Sequence, residues 1–315
     1  MPILGARGAA SAKAFGLTSG AKTVPTDYLV IAGGGGGGGQ GQNGGGAGGF
    51  RTSYPGGTKL DLIYAQTYDI TIGSGGNGKG PGYTGVNPNA GGDSTIAFGG
   101  ETTLASSGGG VGWSGTAPTP PNATLPIGVG GSGGGAHRGN RGGYSPAEGN
   151  PGGSGDPSQF SPNTNYVSPG GPFGSGGGGH TNAGTGSANT GGGAGGAGST
   201  ANITGSPFTA SAGGGSGGWP QAGAGGSGGG GQGGGGPTTN ATGNPGNTKG
   251  SGGGGGGGGP QSQYQTGGSG VGGRVVLRVP SDYTIAATPP SNTTSTDPGG
   301  DKIAIFDVTG TVTIS

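Results

Sequence analysis

The chain has 315 residues, of which 99 are glycine, 24 are proline and none is cysteine, with a formal net charge of +1 and only 7% charged residues. The lack of cysteine excludes disulfides, thiolate catalysis and cysteine-based metal sites together, and near-neutrality leaves a nucleic-acid partner without electrostatic support. Apolar residues make up 25% of the chain, too few for burial alone to offset the roughly 1–2 kcal/mol that ordering each glycine costs.

The first 26 residues form a head rich in small residues, with Ile3, Leu4, Arg7, Lys13, Phe15 and Leu17 as its anchors. Small residues let a backbone approach another surface closely, so the head reads as a docking segment, with a frayed terminus as the alternative. It lacks the basic start and unbroken apolar stretch of a secretory signal, and no window approaches the roughly 20 apolar residues of a membrane span. The chain is therefore expected to be made in a cytoplasm and to leave it, if at all, by another route.

Asp27 to Ala32 is a continuous apolar run of strand character, expected to be buried on both faces, and it feeds directly into the glycines 33–39. Tyr68, Ile70 and Ile72 alternate with Asp69 and Thr71, predicting a half-buried strand. Ser94 to Phe98 and Thr102 to Leu104 are weaker strands that would pair across Gly99 and Gly100. From about 107 to 273 the chain alternates glycine runs with loops and shows no helical periodicity. Val275, Leu277 and Val279 then predict a closing strand, and strands at the two borders, 27–32 and 275–279, would pair to staple a glycine domain spanning 27–280. Residues 281–300 read as a linker, most plainly in the Pro289 to Gly300 stretch, and 301–315 read as a β-hairpin turning near Thr309 and Gly310. A lone hairpin is marginal in water, so this one is expected to join a sheet of the domain, of a sister subunit or of another protein.

Glycine in such quantity fits three states. Collagen requires glycine at every third position, whereas these glycines are contiguous. A flexible linker is featureless, whereas these runs are bounded by strands. The remaining state is a bundle of polyglycine II helices with three residues per turn and about 3.1 Å rise, in which every N–H and C=O points outward to a neighbouring helix. The predicted fold class is thus irregular all-β: a polyglycine II sandwich bordered by short strands, without α-helix.

Five stretches carry a family resemblance: Asp27 to Ala32 with its glycines, Gly44 to Arg51, Tyr68 to Gly73, Gly270 to Arg278 and Ile305 to Thr313. With them the chain resembles the glycine-rich proteins of tailed bacteriophages of the marine and cyanobacterial type, and part of the head, Gly8 to Gly16, resembles the N-termini of some cyanophage structural proteins. A related precedent is the phage tail-tip adhesin, whose polyglycine II core carries variable receptor-binding loops. The resemblance implies a virion-surface protein, a tail fibre or adhesin, docked to other virion proteins through the head, with phage fibres often trimeric. Its loops would touch a host glycan or outer-membrane protein. A capsid-attached fibre or a structural spacer that binds no receptor is the alternative. The separate head, linker and tail hairpin depart from the tail-tip adhesin pattern.

Within those loops, Trp113, Tyr144, Phe160, Tyr166, Phe173, Trp219 and Tyr264 are the receptor-contact candidates, because aromatics offer stacking faces at low entropic cost. They would equally serve as plugs capping the lattice edges. The Walker-like string Gly73 to Gly80 lacks a hydroxyl residue after Lys79 and no helix is predicted after it, which argues against nucleotide binding. His137 and His180 have no carboxylate at ligand spacing, and Arg138 and Arg141 lack the basic surround of an RNA-binding segment. Asp61, Asp93, Glu101, Glu148 and Asp156 are scattered and nominate no catalytic set. Asn-x-Ser/Thr strings at Asn122, Asn202, Asn240 and Asn292 are expected by chance in this composition. No enzyme, metal or cofactor is expected, and an ice-binding lattice is disfavoured by the irregular loops.

Overall fold

The computed structural model describes residues 21–39, 43–80, 88–112, 131–135, 148–153, 174–186, 191–218, 221–235, 241–257 and 265–315. Among them the regular elements are strands alone: β1 (Thr23–Ile31), β2 (Phe50–Thr52), β3 (Leu60–Ile63), β4 (Thr67–Thr71), β5 (Ser94–Phe98), β6 (Glu101–Ser106), β7 (Ser199–Ala201), β8 (Phe208–Ala210), β9 (Arg274–Val279), β10 (Ile285–Thr288), β11 (Thr293–Thr296), β12 (Lys302–Phe306) and β13 (Gly310–Ile314).

Eleven of these strands build two antiparallel sheets, and β7 and β8 form a separate two-stranded hairpin. The first has the order β11-β12-β9-β1-β2, with β3 also paired to β1, and the second has the order β10-β13-β4-β5-β6. Val30, Val275, Leu277 and Phe306 of the first sheet pack between the layers against Ile70, Ile96, Val312 and Ile314 of the second. On its other face the first sheet offers Leu29, Ile31, Val276 and Ile303 to Ala201, Ile203 and Ala210 of the β7–β8 hairpin. That double cover is why the apolar run of β1 has no polar alternation. The border strands pair as expected, with Leu29 opposite Val276 and Tyr28 opposite Leu277. Strands β5 and β6 likewise pair across Gly99 and Gly100, whose φ values of 61° and 87° suit a tight turn that side chains would strain.

The two ends of the chain differ from expectation. Residues 23–26, placed in the docking head, are the first half of β1 and pair with β3, Val24 opposite Leu62. The stretch read as a linker carries β10 and β11, and β12 and β13 do not form a hairpin. Strand β12 pairs with β9 and β11 in the first sheet, whereas β13 pairs with β4 and β10 in the second. Residues 307–309 are therefore an arch between layers. Its reason is burial: Ile303, Phe306, Val312 and Ile314 are all fully buried, which a hairpin lying on one sheet could not achieve for both strands. Asn292 locks the arch by accepting from the Asp307 and Val308 N–H groups and donating to the Thr288 carbonyl.

Beyond the sheets the glycine runs form a lattice. Gly33, Gly34 and Gly35 donate to Gly92, Val271 and Gly46, and Gly36, Gly37 and Gly38 return to the same three runs at Asn89, Gly268 and Asn43, all at 2.9–3.0 Å. Their carbonyls accept from three further runs, Gly33 to Gly35 from Gly109, Gly76 and Gly253, and Gly36 to Gly38 from Gly112, Lys79 and Gly256. A neighbour that recurs every third residue, in six directions, is the packing of polyglycine II. Runs 44–49, 174–179, 211–218 and 251–257 are surrounded in the same way. A Cβ on Gly35 would lie 2.1 Å from the Gly110 carbonyl oxygen, so the close approach admits no side chain there.

Perimeter runs obey a different rule. Along 73–78 Gly73 and Gly76 are buried, Gly75 and Gly78 half-buried, and Ser74 and Asn77 exposed. Along 221–226 the buried positions are Gly223 and Gly226, while Gln221 and Ala224 are exposed. Side chains thus appear at every third position, where the helix turns to solvent. Enclosed runs are glycine interrupted at most by a small buried residue such as Ala47, Ser175 or Ser216, whereas rim runs carry side chains at the positions that face solvent.

Candidate functional site

The lattice has a near end and a far end. Strands β1, β4, β6 and β8 each continue into a run that leaves the sheets, and runs 43–49, 88–93, 191–198 and 265–273 return to β2, β5, β7 and β9. Turns 180–182, 227–229 and 248–250 sit at the near end, next to the sheets. Hydrogen-bond partners fix the level of every run, so that Gly39, Gly80, Gly112, Gly135, Gly153, Gly186, Gly218, Gly235 and Gly257 all stand at the far end, where the described chain breaks off.

Each receptor-contact candidate falls in one of the segments that begin there. Trp113 follows Gly112, Trp219 follows Gly218, Phe173 precedes Gly174 and Tyr264 precedes Gln265. Tyr144 lies in 136–147, which begins after Gly135 at the far end but rejoins the described chain at Glu148 beside the sheets, whereas Phe160 and Tyr166 lie in 154–173, between Gly153 and Gly174 at the far end. All seven are outside the described residues, as are Ile3, Leu4, Arg7, Lys13, Phe15 and Leu17 of the head and His137, Arg138 and Arg141.

Chemistry differs between the two ends. At the near end, carboxylates close the lattice: Asp93 accepts from the Gly108 N–H at 2.8 Å, and Glu148 accepts from the Ser107 N–H at 2.7 Å while pairing with Arg51. Neither stands free for acid–base work, which gives two of the scattered carboxylates a structural purpose. Arg278, buried on β9, bonds Asp297 and Asp301 and lies 4.9 Å from the Tyr54 ring. Burial lowers its pKa, but the Asp301 hydrogen bond and the negative charges of Asp297 and Asp301 outweigh this and raise it. In the arch, burial raises the Asp307 pKa, yet hydrogen bonds from Arg274 and Lys249 dominate and hold it below 3.8. Those ion pairs tie the lattice turn at Lys249 to the sheets.

Amides do the capping at the far end. Asn43 accepts from the Ser175 N–H at 2.8 Å and Asn89 from the Asn77 N–H at 2.8 Å. Lys79 is the one charged side chain among the described residues there, and it is 5% exposed. It belongs to the Walker-like string, which forms the perimeter run 73–79 and uses the Gly76 and Lys79 N–H groups on the Gly34 and Gly37 carbonyls; residues 81–87 after it lie outside the described residues. His180 sits at a near-end turn with its ring 4.7 Å from Phe50, and burial lowers its pKa. It packs there rather than standing in a surface loop. Among the described residues no group of three His, Asp or Glu side chains gathers at metal-binding distance.

A glycine-rich domain model matches residues 10–280, most of the length of the chain. The chain belongs to the glycine-rich domain family. No curated protein and no solved structure matches it. In this glycine-rich domain the family match ends at the close of β9, yet strands β10 to β13 beyond it complete both sheets. Sequence reasoning missed β2, β3, β7 and β8 as well, although Asn202 to Pro207, rich in turn residues between Ala201 and Phe208, carries a hairpin signal.

Proposed function

We propose that this glycine-rich domain is a non-enzymatic structural protein of a tailed-bacteriophage virion, a tail-fibre or adhesin-like appendage that presents its far-end segments to the host surface. The observation that carries the reading is polarity. Nine described runs, from the one ending at Gly39 to the one ending at Gly257, end at one face of the molecule, while Ala21, where the N-terminal head joins β1, lies on the sheet side, as do Gly131 and Glu148, where two of the intervening segments rejoin the lattice. A lattice standing between the attachment point of the head and the face where these segments begin is the layout of a display scaffold, in which recognition is carried on inserted segments and stiffness by the frame. The phage assignment rests on the resemblance of the border motifs. The partners on this reading are other virion proteins at the head and a host glycan or outer-membrane protein at the far end, and the assembly is either a homotrimer, as phage fibres often are, or a single chain whose sandwich is complete in itself. A capsid-attached fibre or spacer uses the same frame without a receptor.

Immunogold labelling of intact virions with a binder raised against the chain tests the assignment. Label on tail fibres or baseplate is expected, and exchange of far-end segments between related phages should then change host range. Label over the capsid moves the protein to the head, and label absent from virions overturns the reading.

A further inference from the structure

One perimeter run lies recessed. Run 230–235 is flanked by run 221–226 on one side, through Gly233 donating to Gly223, and by run 241–247 on the other, through Asn244 donating to Gln232. The three together form one face of the lattice. Near its far end they enclose an open groove of about 460 Å³, walled by Gln221 and Ala222 on one side and Ala241, Thr242 and Asn244 on the other, with 232–235 as the floor.

The floor has unused backbone chemistry. Gly231 and Gly234 donate inward to Gly252 and Gly255, and Gly230 and Gly233 donate sideways to Gly226 and Gly223. In a helix of three residues per turn the third direction belongs to Gln232 and Gly235, and neither N–H has a partner among the described residues. The Gly230 and Gly233 carbonyls are likewise without one. Donors and acceptors therefore repeat every third residue, about 9 Å apart along the run. The side chains of Gln221, Gln232, Thr242 and Asn244 have no hydrogen-bond partner among the described residues, and no charged group lines the groove.

We infer that this groove binds an extended, uncharged, glycine- or proline-rich segment of a partner protein, which docks as one further polyglycine II or polyproline II helix of the lattice. The match is one of period. A β-strand repeats its hydrogen-bonding groups every second residue and would fall out of register with the floor, whereas a helix of three residues per turn meets the free N–H groups of Gln232 and Gly235 in turn. Backbone bonds supply affinity, and the amides on the walls read the segment's own peptide groups. The inference stands apart from the display role, since it uses the side of the lattice and none of the far-end segments.

The test uses the full chain labelled with ¹⁵N at glutamine and titrated with a soluble Pro-Gly-Gly repeat peptide. Saturable shifts at the Gln232 amide are expected. Gln232→Pro deletes the free N–H and the side-chain amide without removing a lattice bond, since that N–H makes none and Pro245 already occupies a perimeter run; it should weaken peptide binding about tenfold at unchanged Tm. Gln232→Ala removes the side chain but keeps the N–H and should retain affinity. Shifts with an oligosaccharide but not the peptide, occupation of the groove by a second copy of the chain, or no shift at Gln232 in the native protein would each overturn the proposal.

Discussion

At the scale of the residue, glycine here is a packing residue rather than a hinge. Among the described residues positive φ is confined to turn glycines such as Gly228 and Gly250 and to Ala65 and Ser211, while the lattice glycines keep the negative φ that any residue tolerates. What forbids a side chain is the neighbour's backbone. Substitution should therefore track distance, not conformation. Gly35→Ala places its Cβ 2.1 Å from the Gly110 carbonyl oxygen, on a run itself held by runs 33–38, 43–49, 88–93 and 131–135, and is expected to cost more than about 3 kcal/mol. Gly272→Ala meets nothing nearer than 3.4 Å, and is expected to be neutral or stabilising by up to about 1 kcal/mol through the unfolded chain. Urea unfolding of both variants checks the contrast, and equal costs would show that something other than packing limits the lattice. This rule was half legible in the sequence. The long glycine runs pointed to polyglycine II, but the distinction between 33–39, unbroken because it is enclosed, and 73–79, interrupted at Ser74 and Asn77 because it is not, needs the neighbours to be known.

At the scale of the element, the sheets are completed from both ends of the chain. Sequence reading found β1, β4 and β9 from strong apolar patterns and β5 and β6 from weaker ones, and it took 281–300, most plainly the polar stretch 289–300, for a linker. Thr293 to Thr296 are exposed throughout, so no alternation betrays β11, and its place is set by backbone pairing with β12 alone. The tail misled for the opposite reason. Its two apolar stretches and intervening turn satisfy the local rule for a hairpin, and only the competition for two sheets sends β12 to β9 and β13 to β4. A chain ending at Pro280 would leave one side of β9 and one side of β4 unpaired and would uncover Val275, Leu277 and Ile70. It is expected to be insoluble or unfolded rather than a free-standing glycine domain, although the family match ends there. Size-exclusion chromatography and circular dichroism of that truncation decide the matter, and a soluble folded product would mean the lattice holds its own borders. The contact candidates were not legible in another sense: composition singles out aromatics between runs, but which end of the lattice a run finishes on is set by pairings such as Gly37 with Gly268, far apart in sequence.

At the scale of the whole molecule, two kinds of core share one chain. The sandwich buries Phe306, Leu29, Ile31 and Leu277 in the ordinary way. The lattice buries peptide groups, each exchanging water for a neighbouring run at about 0.5–1.5 kcal/mol net. Exposure of apolar surface raises heat capacity on unfolding and exposure of polar surface lowers it, so the two cores contribute with opposite sign. The heat-capacity change should therefore fall clearly below the roughly 12–15 cal/mol/K per residue of ordinary domains. Differential scanning calorimetry measures it directly, and a value inside that range would contradict a core made of backbone.

An enclosed run has no landmarks. Because its residues are identical, sliding 33–38 along its axis by one turn, about 9 Å, would restore every donor and acceptor to an equivalent partner. The crystal-like interior is thus indifferent to phase, and many shifted arrangements have almost the same energy within it. Uniqueness has to be imposed from the boundary. Ile31 at the mouth of that run, seated under the β7–β8 hairpin, and Phe50 at the exit of its neighbour act as the index marks against which the repeating part is aligned. In this protein the strands choose the address, and the glycines supply the stiffness that makes the choice felt at the opposite end.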